Sequence, residues 1–219
     1  MATLSDSQLT ALFEHTQPDR LHALWVVLAT TGLRIGEALG LRWREVDVAG
    51  RRLVISQALQ RQQGRGLVFV EPKTGRSRRM VHVSEFAMSA LAQHRARQAA
   101  QTLAAGSEWR DYDLVFSSSC GGPLQISNVT PALRRALDGA GLPRVRVHDL
   151  RHTAATLLLA HGVHPKVVQE LLGHSRITLT LDTYSHVVPA LHAEAAARMD
   201  AIFSRPRAGE SGQLQYQLQ

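Results

Sequence analysis

Residues 19–32, DRLHALWVVLATTG, carry apolar side chains around most of a helix's circumference, with Gly32 as its stop. A helix of that kind reads as largely buried, so the chain must bring other elements to cover it. With 219 residues it has enough length for one large domain with a sizeable core. No apolar run approaches the ~18 residues of a membrane span. The start, MATLSDSQLT, lacks the basic-plus-apolar pattern of a signal peptide. The single cysteine, Cys120, cannot form a disulfide within the chain, which fits a reducing cytoplasm.

The rest of the chain is mostly helical in pattern. SDSQLTALFEH opens a helix, with Ser5 and Gln8 at capping-box spacing. IGEALGLRW is a short helix ending near Gly40. The period then changes. RRLVISQ (51–57) and GLVFVEPKTGRSRRMVHV (66–83) contain alternating, β-branched segments, read as one small antiparallel sheet with KTGR as a hairpin turn. Helical patterns return at 84–105, at 127–141 with Ser127 or Asn128 as cap, at 148–162, at 164–174 and at 189–203. The fold class expected is therefore α+β, mostly α-helical with a small antiparallel β-sheet. Residues 1–203 form one domain, and the polar tail 204–219 is flexible or docks elsewhere.

Charge narrows the function. The formal net charge is +7, the pI is about 10.6, and arginines cluster at 51–52, 76–79, 95–97, 134–135 and 144–146. That is the electrostatic footprint of a nucleic-acid-binding protein, although a solvated basic surface has the same composition. Of 25 basic residues only Lys73 and Lys166 are lysines, so a lysine at a special place calls for its own explanation.

HDLRH, at 148–152, nearly spells the zinc-protease pattern H-E-x-x-H. On a helix His148, Arg151 and His152 share a face. A zinc site needs two neutral imidazoles and a third ligand around a cation. Arg151 would set a permanent positive charge beside that metal. Around a phosphate the same arginine is well suited, because its planar fork fits two oxygens. His152 reads as a packing or capping residue.

Other residues can converge with these. Arg34 and Glu37 stand in TGLRIGEAL, Lys73 in PKTGRSRR, and His174 and Tyr184 in LLGHS and TYSHV. Together with HDLRHTAAT, these motifs resemble the catalytic domain of the tyrosine recombinases, the phage integrase family. They occur in the family's order and cover residues 30–188.

The resemblance implies an active site that assembles on the scissile phosphate of double-stranded DNA. Arg34 and Arg151 match the paired arginines that hold the non-bridging oxygens. Lys73 matches the hairpin lysine that protonates the leaving 5′-oxygen. His148 matches the histidine that assists proton transfer at the nucleophile, His174 a donor to the phosphate, and Tyr184 the nucleophile itself. Glu37 matches an acidic supporting position that braces an arginine or histidine. Tyr112 lies between aspartates that repel phosphate, and Tyr216 lies in the tail. The resemblance further implies no cofactor, no metal and no membrane, a tetramer on DNA and a monomer alone. It places the chain in the cytoplasm, with the nucleoid of a bacterial or phage-infected cell. Family members carry a helical core-binding domain before the catalytic one. Only about one helix precedes residue 19 here, so the expectation is a catalytic domain alone or a naturally short member, gripping DNA weakly and salt-dependently.

Two other readings keep a place. HGVHPKVVQELLGH resembles a helix-turn-helix, which would serve a DNA-binding regulator without catalysis. A metal-dependent hydrolase could be built on HDLRH. The phosphate reading predicts that DNA cleavage proceeds in excess EDTA. Loss of cleavage on chelation, restored by zinc, would return HDLRH to the metal reading.

Overall fold

The computed structural model describes residues 2–71, 78–173 and 188–203. Eight α-helices are described: α1 (Asp6–Thr16), α2 (His22–Thr31), α3 (Ile35–Gly40), α4 (Glu85–Ala105), α5 (Ile126–Gly139), α6 (Val147–Ala160), α7 (Pro165–Leu172) and α8 (Val188–Phe203). Five short strands lie between α3 and α4: β1 (Val46–Asp47), β2 (Arg52–Ile55), β3 (Ala58–Gln62), β4 (Gly66–Val70) and β5 (Arg79–His82).

Helix α2 is the centre of the core. All of its residues except Thr30 are buried, and α1, α3, α4 and α6 pack around it. Trp25, Leu24 and Leu28 are among the largest fully buried side chains. Each such apolar side chain contributes about 1.5–3 kcal/mol on burial. The helix ends where expected, at Gly32 in the left-handed conformation, whose N–H donates to the Leu28 carbonyl. At α1 the expected capping box is formed: Ser5 Oγ accepts from the Gln8 N–H, and Gln8 Oε1 accepts from the Ser5 N–H at 2.9 Å.

The β region departs from the expected single sheet. It forms two, a three-stranded sheet in the order β1–β2–β5 and a separate pair β3–β4, all antiparallel. The strands on either side of KTGR belong to different sheets: β4 pairs with β3, and β5 with β2. Strand β3, ALQRQ, was not legible as a strand. Its one buried side chain, Leu59, gives no alternation to read. It forms because it is held from both sides, by β4 and by α3. Helix α5 also differs. It starts at Ile126 after Gln125, with no side-chain cap, so neither Ser127 nor Asn128 caps it.

Helix α3 lies against β3 closely enough to demand glycine. A Cβ on Gly36 would stand 2.7 Å from the Leu59 carbonyl oxygen, and one on Gly40 would stand 3.1 Å from the Ala58 Cα. The obstacle is backbone in both cases, so no side chain can swing aside. Gly36→Ala is expected to cost about 1–3 kcal/mol, the range for an added methylene in a packed interior. Urea unfolding would measure this, and an unchanged midpoint would mean that β3 slides freely on α3.

Candidate active site

Arg34 caps the N-terminus of α3 with extended backbone, φ −68° and ψ 145°. Its N–H donates to Glu37 Oε2 at 2.9 Å, and its guanidinium Nη1 donates to Glu37 Oε1 at 3.1 Å. Glu37 meets a second arginine through a two-pronged ion pair: Arg79 Nη1 and Nη2 each reach one of its oxygens at 2.9 Å. The side chains of Glu37 and Arg79 are each 10% exposed, whereas that of Arg34 is 48% exposed. Burial alone would raise the Glu37 carboxyl. The hydrogen bonds and charge of Arg79, then of Arg34, outweigh it and hold Glu37 below the ordinary carboxylate value.

Arg151 is held differently. It is 3% exposed, and its Nη1 and Nη2 donate to the Gly32 and Leu172 carbonyls at 2.6 and 2.7 Å. Those carbonyls sit at the C-terminal ends of α2 and α7, where helix dipoles favour a cation. The approach needs Gly32: a Cβ there would stand 2.5 Å from Leu172 Cδ2, and φ is +64°. Arg79 also reaches the end of α7, through Nε to the Leu171 carbonyl at 3.4 Å. Two consecutive α7 carbonyls thus serve two arginines.

His148 is exposed and lies edge-on to the His152 ring, with centroids 4.9 Å apart. Partial burial, then the Arg151 charge, lowers its pKa below the ordinary histidine value, against an opposing pull from Asp149. His152 is buried and is also lowered, by burial first and His148 second. The acid between them turns away: Asp149 accepts from Arg146 Nε at 3.0 Å, Nη2 at 2.9 Å and the backbone N–H at 2.9 Å, capping α6. Among the described residues, no group of three or more His, Cys, Asp or Glu is placed to hold a metal ion.

The structure therefore brings Arg34, Glu37, His148 and Arg151 to the junction of α2, α3, α6 and α7. Lys73, His174 and Tyr184 lie outside the described residues. Arg79 was missed in the sequence. Its signal is the strand alternation of β5, in which Arg79 shares the inward face with buried Val81 while Met80 and His82 point out. An arginine at an inward strand position needs a buried partner, here Glu37.

The model of the phage integrase family matches residues 3–190. A tyrosine recombinase XerC-like protein of Caldanaerobacter subterraneus subsp. tengcongensis is 34% identical over 212 residues, covering 92% of this chain and 54% of that protein. An integrase of Streptomyces ambofaciens is 32% identical, covering 92% and 53%. The chain thus spans about half the length of these curated relatives. Among solved structures, the Tn1549 transposon integrase in complex with transposon right end DNA has a TM-score of 0.77 at 26% identity, over 93% of this chain and 66% of that one. The XerA recombinase has a TM-score of 0.67 at 27% identity, over 94% and 66%.

The Glu37 arrangement has a stability consequence. Glu37→Ala leaves the Arg79 guanidinium buried without its carboxylate, and losing one partner of a buried pair costs about 3–5 kcal/mol. Denaturant unfolding should register a loss of that order. A change below about 1 kcal/mol would mean that the pair is no stronger than a surface ion pair.

Proposed function

The chain belongs to the phage integrase family, the tyrosine recombinases, and on that premise we propose that it breaks and rejoins double-stranded DNA through Tyr184. The phenol oxygen attacks the scissile phosphorus, a 3′-phosphotyrosine forms, and the 5′-oxygen leaves as a hydroxyl. The bond energy stays in the phosphotyrosine, so a 5′-hydroxyl from another strand reverses the step without ATP.

The observation that carries this reading is the convergence of two differently held guanidinium groups beside a histidine of lowered pKa. Phosphodiester cleavage builds negative charge on the non-bridging oxygens, and preorganised cations there stabilise the transition state more than the ground state. Arg34 is half exposed and offers N–H groups to a ligand. Arg151 is oriented by the Gly32 and Leu172 carbonyls at two helix ends. A phenol with a reference pKa of ~10 needs a proton acceptor at neutral pH. His148 suits that role because its lowered pKa keeps the imidazole neutral at pH 7. The imidazole is protonated only as pH falls through that lowered value, so cleavage falls there as well.

Lys73 gives the 5′-oxygen its proton, His174 donates to the phosphate, and Glu37 orients Arg34. Residues 1–203 act as the catalytic domain. The tetramer forms on DNA from monomers, with the segment from 189 onward docking on a neighbouring subunit.

The test is covalent trapping on a nicked suicide duplex carrying the borders of the genomic element that encodes the chain. Tyr184→Phe should abolish the adduct with DNA affinity nearly unchanged; an adduct from this variant would move the nucleophile to Tyr112 or Tyr216. Arg34→Ala should slow cleavage by on the order of 10²–10³-fold, the scale for one lost transition-state donor.

A further inference from the structure

The Glu37 carboxylate is fully subscribed. A carboxylate has about four lone-pair sites. Glu37 Oε1 accepts from Arg34 Nη1 and Arg79 Nη1, and Oε2 accepts from the Arg34 N–H and Arg79 Nη2. Arg79 takes the paired, fork-like geometry that binds carboxylates best. Arg34 is left with one side-chain contact to Glu37, and its other N–H groups remain for a ligand.

Arg79 is the fixed member of this trio. Strand pairing of Arg79 with Ile55 holds its backbone, and Nε reaches the Leu171 carbonyl. Its guanidinium carbon lies 3.1 Å from where a Cβ on Gly173 would stand, so the end of α7 walls it in. Glu37 must come to Arg79, and Arg34 in turn to Glu37. The cluster of two guanidiniums and one carboxylate keeps one net positive charge. Without Arg79 the carboxylate would face Arg34 alone, cancel its charge and draw it into the fork.

We propose that Arg79 is a positioning residue for Arg34, occupying the Glu37 carboxylate so that Glu37 can orient Arg34 without neutralising it. This rests on the proposed role of Arg34 at the scissile phosphate. Arg79 touches no substrate atom in this account and acts only through its neighbours.

The experiment is single-turnover cleavage of the nicked suicide duplex at saturating protein, with either the natural scissile phosphate or a methylphosphonate in its place. The methylphosphonate is neutral and needs no cationic clamp. Arg79→Ala should slow cleavage of the natural substrate about ten- to a hundredfold, less than the ~10²–10³ for a lost donor. On the methylphosphonate both Arg79→Ala and Arg34→Ala should approach the wild-type rate. In an Arg34→Ala background Arg79→Ala should have no further effect, because residues acting as a unit are not additive. Arg79→Lys, which keeps the charge but loses the fork, guards against a misfolded alanine variant. It should lose about threefold to tenfold and be rescued likewise. If Arg34→Ala is rescued by the methylphosphonate while the Arg79 variants are not, the proposal is overturned and Arg79 serves the fold alone. Wild-type rates for both Arg79 variants would overturn it equally. No rescue of Arg34→Ala would remove the premise, the phosphate-holding role of Arg34, and the proposal with it.

Discussion

The buried Arg151 guanidinium ties together the helix ends around the candidate site. Taking Arg151 out of water costs several kcal/mol, which must be recovered inside the protein. The Gly32 and Leu172 carbonyls at two helix ends recover part of it through hydrogen bonds aligned with the α2 and α7 dipoles. Since Arg151 is carried by α6, one side chain fixes three helices relative to one another. The core helix, the HDLRH helix and the helix that ends just before His174 therefore share one geometry.

The second arginine is held by a different device. Arg34 needs a brace, because a half-exposed arginine at a helix start has many rotamers. A carboxylate is the strongest brace and also the most neutralising one. Sharing Glu37 with Arg79 keeps the orienting effect while leaving positive charge at the site. Arg151 and Arg34 thus have unequal surroundings, one deep and held by helix-end carbonyls, the other accessible and tethered to a shared acid.

Much of this was legible in the sequence where the deciding contacts are local. The Ser5 cap, the stop at Gly32, the long α4 and the starts of α6 and α7 within a residue or two all follow from spacing within a turn or two of helix. Glu37 as a brace came only from the family resemblance, which left open whether it holds an arginine or a histidine; in the structure it meets Arg34, three residues away. What failed was long-range. The β3–β4 pairing depends on α3 lying beside a strand that has one buried side chain, and the separation of β4 from β5 depends on β2 claiming β5. Arg79 escaped for the same reason: its partners, Glu37 and Leu171, are 42 and 92 residues away. Only the inward strand position hinted at a buried partner.

The glycines of the motifs explain why the spacing is readable at all. In TGLRIGEALG, Gly32 admits Leu172, Gly36 admits the Leu59 carbonyl, and Gly40 admits the backbone at Ala58. In LLGH, Gly173 admits the Arg79 guanidinium. Gly32 and Gly173 stand where two motif segments meet, and Gly36 and Gly40 stand where the first motif meets the backbone of β3. At Gly32 the added carbon would push on Leu172, whose carbonyl is one of the two that hold Arg151. The charged residues of the motifs mark the chemistry, and the glycines between them mark the close approaches that bring the charges together. Both are imposed by the same small volume, so they appear in sequence as one interleaved pattern.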